Sequence, residues 1–234
     1  MIDQEILTAS TNVRDFLSKL DVDKIGVVSL YDIKGTKLED TALRLLPETH
    51  SIVVFGMEIY PEILDHVRPG RTMGQASLND LLDRNADFLS GRLTKAAYDL
   101  ARVSHTNNLK ALPLPAAGCP LDARFLEAVF SYKHAGQAAG LGYIGRSSLL
   151  ITPDFGPRVR LSCCLTEAVL DTSEIATAHT ICESCEICID NCPANALDRP
   201  EAQESYSINK FACASFRNTS GGCSECLRLC PASR

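Results

Sequence analysis

The cysteines restrict what this chain can fold into more than any other feature. The sequence of 234 residues contains eleven of them, and eight fall between positions 182 and 230. The N-terminus carries acidic and polar residues where a secretion signal needs a basic start and an apolar core, so we expect a cytoplasmic protein. In a reducing compartment, cysteines in this number indicate metal or redox chemistry rather than disulfides.

The spacing of these cysteines narrows the chemistry further. The run CESCEICIDNCP has the form C-x2-C-x2-C-x3-C-P, which is typical of bacterial ferredoxins, where the fourth cysteine binds the other of two clusters. A second, imperfect run places Cys213 ahead of CSECLRLCP. The sequence therefore predicts two 4Fe–4S clusters. The first would take Cys182, Cys185, Cys188 and Cys230, and the second Cys192, Cys213, Cys223 and Cys226.

A structural zinc site is the alternative for these cysteines, because paired C-x2-C motifs are also typical of zinc. Two residues between thiolates let one turn wrap a corner of a cubane cluster, and soft thiolate ligands suit iron–sulfur chemistry. The triple run followed by Cys-Pro offers more ligands than paired zinc motifs need, which favours clusters. The tail is short of apolar runs, so a metal cofactor is expected to stabilise it.

Hydrophobic periodicity predicts an α+β protein. Helices are expected at 2–20, 40–46, 78–103 and 121–139, and strands at 24–30, 51–57, 111–114, 148–152 and 158–166. The last two strands are expected to form a hairpin joined by PDFGP. We expect an α/β domain over residues 1–170 and a small cluster-bearing domain over 171–234.

The segment GLGYIG matches the G-x-G-x-x-G fingerprint of dinucleotide-binding proteins by its letters alone. That fingerprint requires a strand before the glycines and a helix after them. Here a helical run precedes the glycines and the β-like run SSLLIT follows. We therefore expect the glycines to provide a sharp turn or a close approach of the backbone to a large group, and not a nicotinamide site.

The stretch HAGQAAGLGYIGRSSLLITPDFGPRVRL together with the two cysteine runs resembles the corrinoid-dependent iron–sulfur reductases. AGLGYIGRSSLL resembles epoxyqueuosine reductase, and LLITPDFGPRVRL is closer to the reductive dehalogenases. The resemblance covers about residues 120–234 well, and the first 110 only by general arrangement. It implies a nitroreductase-like α/β domain that binds cobalamin, and a C-terminal two-cluster ferredoxin-like domain that passes electrons to the cobalt.

The resemblance also implies a set of residues near the corrinoid, with Arg158 and Arg160 at its periphery. The set comprises Gly140, Gly142, Tyr143, Gly145, Arg146, Ser147 and Ser148. The alternative for these residues is a tight turn and a hairpin on a packed surface.

The proton donor of the family has no clear match here. Asp122 is the nearest acid, although its spacing differs by about a helical turn and it could equally open a helix. Dehalogenases use a tyrosine, for which Tyr132, Tyr98 and Tyr143 are candidates. The chain also ends three residues after Pro231, whereas epoxyqueuosine reductases continue.

The remaining histidine and cysteine candidates are expected to play ordinary structural roles. His134 is expected to be a packed or surface residue of a helix. Cys163 and Cys164 alternate on a strand, so only one is expected to face inward, and both are expected to be small buried residues. Cys119 is expected to be an incidental loop cysteine.

Charge and hydropathy exclude some partners. A net charge of −6 argues against sequence-independent nucleic-acid binding, although a tRNA touching one local basic patch stays open. No run of 18 apolar residues is present, so no membrane span is expected. Two functions remain: a reductase that uses its own corrinoid, or a two-cluster carrier that reduces or reactivates a partner corrinoid protein. Both need a low-potential electron donor, and whether the chain is itself an enzyme is left open.

Overall fold

The computed structural model describes residues 4–67, 72–73, 76–117, 119–174, 181–199 and 207–233. The chain divides into two compact units, and each is built from separate stretches of sequence. The first unit consists of Met1–Met57, Leu89–Leu141 and Arg160–Ala176. The second unit consists of Glu58–Phe88, Gly142–Val159 and Thr177–Arg234. The glycine-containing residues 142–148 thus belong to the same unit as all eight clustered cysteines.

The described helices and strands alternate over most of the chain. The helices are α1 (Gln4–Leu17), α2 (Lys37–Leu45), α3 (Pro61–His66), α4 (Asp80–Thr106), α5 (Tyr132–Ala138), α6 (Ile187–Asp190), α7 (Lys210–Thr219) and α8 (Glu225–Arg228). The strands are β1 (Lys24–Ser29), β2 (Ser51–Glu58), β3 (Thr72–Met73), β4 (Ala76–Ser77), β5 (Ala111–Leu114), β6 (Leu121–Asp122), β7 (Glu127–Ala128), β8 (Tyr143–Ile144), β9 (Leu150–Ile151) and β10 (Val159–Thr166). In the part of the chain that is described, no helix has the length and apolarity needed to cross a bilayer.

A four-stranded sheet in the order β1-β2-β10-β5 forms the centre of the first unit. Strands β1 and β2 run antiparallel, with Val27 opposite Val53, and β10 runs antiparallel to β5, with Cys163 opposite Leu114. The predicted strands at 24–30, 51–57 and 111–114 are confirmed, as are helices over most of 2–20 and 78–103.

Both faces of this sheet are buried. Successive side chains of a strand point to opposite faces, so neighbouring residues of β10 pack against different helices. Cys163 and Leu165 of β10 pack on one face, in a core that includes Ala42 of α2 and Ala135 of α5. The opposite face of β10 packs against α4. The Ser162 hydroxyl on that face donates a hydrogen bond to the main-chain oxygen of Leu93 in α4. A sheet covered on both faces explains why its strands read as continuous apolar runs.

The helix predicted at 121–139 is wrong over its first half. Residues 121–128 form the short hairpin β6–β7, and only α5 is helical. The Asp122 carboxylate accepts a hydrogen bond from the main-chain N–H of Arg124 at 3.0 Å, which favours a local turn over a helix. Leu126 at φ 48° also leaves the right-handed helical region.

The hairpin predicted from PDFGP is also wrong in its pairing. β9 pairs with β8, with Tyr143 opposite Ile151, while β10 joins the large sheet. The turn itself closes through Thr152 and Gly156, whose main-chain groups bond each other in both directions at 2.9 Å. The sequence signal for a turn was thus correct, but the strand that follows pairs elsewhere.

Candidate metal centre and the glycine segment beside it

The first predicted quartet of cysteines lies together in the second unit. Cys182 lies in a 3-10 turn (Ile181–Glu183), and Cys188 is on α6. Burial first, and then the neighbouring thiols of Cys182, Cys230 and Cys185, raise the pKa of Cys188 to about 11. Cys230 comes from the second run, so this group draws on both runs.

The second predicted quartet is also brought together. Burial raises the pKa of Cys226 to about 12, with contributions from Cys223, Cys213, Cys188 and Cys192. Cys213, on α7, has a pKa raised first by burial and then by Cys223 and Cys192. Cys192 belongs to the first run in sequence but lies with the second run in space. Thiols from both runs thus lie near one another, and the division into two crossed quartets stays a prediction.

The chemistry of these thiols suits a metal cofactor. All eight are unpaired and partly buried. Among the described residues, no group of three or more His, Cys, Asp or Glu side chains is arranged around a single metal ion. Raised thiol pKa values mean that metal loading would release protons.

Several hydrogen-bond donors point at these sulfurs. The Tyr143 hydroxyl donates to Cys182 Sγ over 3.7 Å, and the Ala196 N–H donates to Cys192 Sγ over 3.3 Å. Burial raises the pKa of Cys230, and a main-chain hydrogen bond from Ala232 partly offsets this rise; the Ser233 hydroxyl donates to the main-chain oxygen of Leu227 at 3.1 Å. Burial, together with the contact to Cys182, raises the pKa of Tyr143, so its hydroxyl keeps the proton that it donates.

Arg146 holds the first cysteine turn in place. Its Nε donates to the main-chain oxygen of Cys182 at 2.5 Å, and its Nη2 donates to that of Glu183 at 2.7 Å. Its Nη1 forms an ion pair of 2.8 Å with Glu186, which also binds Arg199 at 3.0 Å. The Arg146 side chain is only 12% exposed, so these are strong, charge-assisted bonds.

The glycines of residues 140–148, called here the glycine segment, are explained by contacts within the chain. A Cβ on Gly142 would lie 2.0 Å from the main-chain oxygen of Ile151. A Cβ on Gly145 would lie 2.7 Å from the Ile151 side chain and 2.9 Å from Cys182 Sγ. Gly140 has φ 76°, which ends α5 in the left-handed conformation. Ser147 and Ser148 are buried in the same turn.

The two arginines predicted at the corrinoid periphery are both engaged. The buried Arg158 donates from Nη1 to Glu58 at 2.5 Å and to the main-chain oxygen of Ile59 at 2.7 Å. Its Nε is buried and has no hydrogen-bond partner among the described residues. Arg160 donates to the Ser90 hydroxyl at 2.8 Å. A buried, unsatisfied guanidinium N–H is rare in proteins and indicates a missing polar partner.

The proton-donor candidates lie in different settings. Asp122 is bound by Arg124 through Nε and Nη2, and this contact lowers the pKa of the carboxyl. The Tyr132 hydroxyl donates to the main-chain oxygen of Pro115 at 2.6 Å, and burial followed by a contact with Cys119 raises its pKa. Tyr98, on α4, is 61% exposed. Tyr132 is therefore protonated at neutral pH and Asp122 is ionised.

The remaining candidates are structural. His134 is hydrogen-bonded to the Ser131 hydroxyl, and its pKa is lowered by burial and then by Lys133 and Lys37. Cys163 and Cys164 are both fully buried, as small core residues, because the sheet is covered on both faces. Cys163 belongs to the core on one face of the sheet, and the expectation that both cysteines are small buried residues is confirmed. Cys119 lies half-buried in a loop.

No family model matches the chain. Among curated proteins, tetrachloroethene reductive dehalogenase of Desulfitobacterium hafniense is 33% identical over 111 residues, which are 39% of this chain and 20% of that protein. Epoxyqueuosine reductase of Bacillus subtilis is 23% identical over 229 residues, which are 89% of this chain and 54% of that protein. The chain thus spans about half, or less, of the length of these relatives.

Solved structures of both groups share the fold. An epoxyqueuosine reductase crystallised with a modified tRNA stem loop has a TM-score of 0.62 and 19% identity, over 97% of this chain and 66% of that one. The catabolic reductive dehalogenase NpRdhA has a TM-score of 0.69 and 18% identity, over 95% of this chain and 31% of that one. A further reductive dehalogenase with a TM-score of 0.69 is described as catalysing B12-dependent dehalogenation.

The mixed α/β fold and the sequence relatives support the class expected from the sequence, the corrinoid-dependent iron–sulfur reductases. Within that class, the chain is related to epoxyqueuosine reductase and to reductive dehalogenase. Sequence reasoning missed one role: Tyr143 and Arg146 contact the first cysteine run. Their spacing in GYIGR placed them on one turn, but no local signal identified Cys182 as their partner.

Proposed function

We propose that this chain is an iron–sulfur oxidoreductase with two 4Fe–4S clusters, which pass electrons from a low-potential donor to a cobalamin. In this proposal residues 171–234 form a ferredoxin-like cluster domain, and residues 1–170 form a nitroreductase-like α/β domain that holds the corrinoid. The observation that carries the proposal is the proximity of thiols from the two cysteine runs: Cys230 lies near Cys188, and Cys192 lies near Cys226.

The donor set fits iron–sulfur clusters. Each quartet supplies four thiols, partly shielded from water, with hydrogen-bond donors at Cys182, Cys192 and Cys230. Once bound, clusters of this kind supply one-electron transfer at potentials set by burial and by hydrogen bonds to sulfur. The part played by the protein is to hold the thiolates in place, and Arg146 fixes the first turn for that purpose.

The corrinoid part of the proposal is supported by family resemblance and by one unsatisfied group. Arg158 is buried, is paired with Glu58 on one side only, and keeps Nε without a partner among the described residues. A corrinoid carries peripheral amides that could accept from such a donor. Bound cobalamin would supply a cobalt centre that can deliver electrons to a substrate. Gly140, Ser147 and Ser148 remain proposed neighbours of this group.

The reduction also needs a proton donor and a substrate. Of the four candidates, Asp122 is held ionised by Arg124, Tyr98 is exposed and Tyr143 donates to Cys182, whereas the partly buried Tyr132 holds its proton at neutral pH. We therefore assign proton donation to Tyr132. The related enzymes act on a tRNA base or on a chlorinated alkene, so the substrate class proposed is a reducible small molecule or a modified nucleoside.

A second function, electron delivery to a partner corrinoid protein, is favoured by a different observation. The space beside Gly142 and Gly145 is filled by Ile151 and Cys182 of the chain itself. In that case the glycine segment serves to seat the first cysteine turn and not to approach a corrinoid. The two proposals share the clusters and differ only in where the corrinoid binds.

Metal analysis and a binding titration test the proposal. The protein is purified without oxygen, its iron, sulfide, zinc and cobalt are quantified, and hydroxocobalamin is titrated while spectra are recorded. We expect about eight irons per chain, as two 4Fe–4S clusters require, and a corrinoid spectrum shifted to the base-off form. About eight irons with no corrinoid binding would favour the carrier, and zinc without iron would exclude both.

Matched variants make the titration specific. Arg158→Met removes the unsatisfied N–H and should weaken hydroxocobalamin binding at least tenfold while iron content is unchanged. Glu58→Gln removes the ion pair with Arg158 Nη1 but keeps the guanidinium. It tests whether hydroxocobalamin binding is lost merely because the structure around Arg158 is disturbed. Tyr132→Phe should leave corrinoid binding intact but lower turnover, with Tyr98→Phe as the matched tyrosine control.

A further inference from the structure

We propose that the Tyr143 hydroxyl sets the reduction potential of the cluster bound by Cys182, Cys185, Cys188 and Cys230. This inference rests on the proposed function, because it requires a cluster at the first quartet. It assigns to Tyr143 a positioning and tuning role toward one of the two clusters, in place of a contact with the corrinoid.

The geometry aims the hydroxyl at a single sulfur. Tyr143 lies on β8, where pairing with Ile151 of β9 fixes its backbone. Its hydroxyl oxygen lies 3.7 Å from Cys182 Sγ, within hydrogen-bond distance for a sulfur acceptor. The glycine at 145 lets this sulfur approach the segment, since a Cβ there would stand only 2.9 Å from it.

The acceptor is held as firmly as the donor. Arg146, three residues after Tyr143, binds the main-chain oxygens of Cys182 and Glu183 at 2.5 Å and 2.7 Å. Donor and anchor therefore come from one short turn of the same unit and act on the same cysteine. Because donor and acceptor are both held in place, forming this hydrogen bond costs little conformational entropy. We therefore expect the hydroxyl to stay on the Cys182 sulfur most of the time.

The direction of the effect follows from charge. A cluster that gains an electron places more negative charge on its sulfurs, so a donor to sulfur stabilises the reduced state more than the oxidised state. The Tyr143 hydroxyl has one proton to donate, and Cys182 Sγ is the acceptor that the geometry gives it. Arg146 acts in the same direction, but Glu186 balances its charge. Tyr143 is therefore the group whose removal changes the potential without breaking an ion pair.

The two clusters should respond differently. The sulfur contact described at the second quartet is the main-chain N–H of Ala196 on Cys192, which Tyr143 does not touch. Replacement of the Tyr143 hydroxyl should therefore lower the potential of the first cluster only, and electrons should then distribute further toward the other cluster.

The test is a potentiometric titration of the whole protein without oxygen, followed by electron paramagnetic resonance. Tyr143→Phe should keep the full iron content and lower the ratio of reduced to oxidised first cluster about fivefold at fixed potential. For a one-electron couple this is about 40 mV, at 59 mV for each tenfold change. The second couple should be unchanged, and the matched tyrosine variant Tyr98→Phe should shift neither couple.

The outcomes separate this inference from the proposed function. Wild-type protein without iron–sulfur signals would overturn the proposed function, and this inference with it. Wild-type protein with two clusters and a Tyr143→Phe variant with unchanged potentials would overturn the inference alone. Loss of iron from the Tyr143→Phe variant, or equal shifts of both couples, would also overturn it, because Tyr143 would then be a general structural residue.

Discussion

Arg146 Nε donates to the main-chain oxygen of Cys182 across 2.5 Å, from a position 36 residues earlier in the chain. The same guanidinium also donates to the main-chain oxygen of Glu183 and to the carboxylate of Glu186. Arg146 therefore holds the turn that begins at Cys182 through three acceptors. The turn has few apolar side chains to bury, so its conformation is stabilised by these hydrogen bonds to Arg146 and not by a hydrophobic core.

Replacement of Arg146 should therefore loosen the first cysteine turn. Hydrogen bonds to a charged group contribute about 1.5–3 kcal/mol each, so Arg146→Met should lower the free energy of unfolding by at least about 2 kcal/mol and speed the loss of iron to a chelator. Arg102→Met, which removes an exposed i,i+3 partner of Asp99, is the matched control and should change both measurements little. Equal effects of the two variants would contradict the anchoring role.

Three glycines should respond to alanine in a definite order. Gly142→Ala should be the most damaging, because its Cβ would meet the main-chain oxygen of Ile151 at 2.0 Å, and a backbone cannot easily yield. Gly145→Ala should be milder in stability but should lower iron content, since it presses on Cys182 Sγ at 2.9 Å. Gly91→Ala, in α4 with open space, should be neutral or stabilise by up to about 1 kcal/mol. Thermal unfolding and iron analysis measure the series.

Cys192 should behave as a member of the second quartet despite its place in the first run. Its neighbours in space include Cys213 and Cys226. Cys192→Ser should therefore give the same remaining cluster signal as Cys226→Ser, and a different one from Cys188→Ser. Electron paramagnetic resonance of the reduced proteins compares them, with Cys119→Ser as the control that keeps both signals. A match between the Cys192 and Cys188 variants would instead mean that each run binds its own cluster.

The buried thiols of the sheet should make stability depend on alkaline pH. Burial raises the pKa of both Cys163 and Cys164 above the ordinary value of 9.0. Above pH 9 the thiols ionise in the unfolded chain but stay protonated in the folded chain. The free energy of unfolding is therefore highest below pH 9 and falls as the pH rises above it. Each thiol contributes up to about 1.4 kcal/mol per pH unit. Cys164→Ala should make the fall shallower, whereas Val53→Ala, at another buried position of the sheet, should lower stability without changing the slope.

The sequence predicted the structure correctly where the determining pattern lies within a few neighbouring residues. The apolar β-branched runs at 24–30 and 51–57 form strands, and the cysteine spacing indicated that the two cysteine runs come together, as the neighbours of Cys188 and Cys226 show. It failed at 121–128, where the side chain of Asp122 bonds the backbone two residues later and competes with a helix that composition alone favours. A helical pattern does not reveal that competition.

The candidate site was readable only in part, because its decisive contacts are distant in sequence. Tyr143 and Arg146 were selected by resemblance as neighbours of a corrinoid, yet both side chains bond the first cysteine turn. Arg158 was selected in the same way, but its ion pair with Glu58 joins residues 100 positions apart. Partners at such separations follow from the folded topology and leave no trace in local spacing.

The proposed exchange of Cys192 and Cys230 between the two runs has a consequence for how the protein matures. With that exchange, neither quartet can be completed by one run alone, so the first cluster to enter would have to bring both runs together. The second cluster then enters a site whose backbone is in place, and loading becomes cooperative. Chains with both clusters or with none should dominate during assembly, and partial iron supply should lower the number of finished molecules rather than leave every molecule half filled.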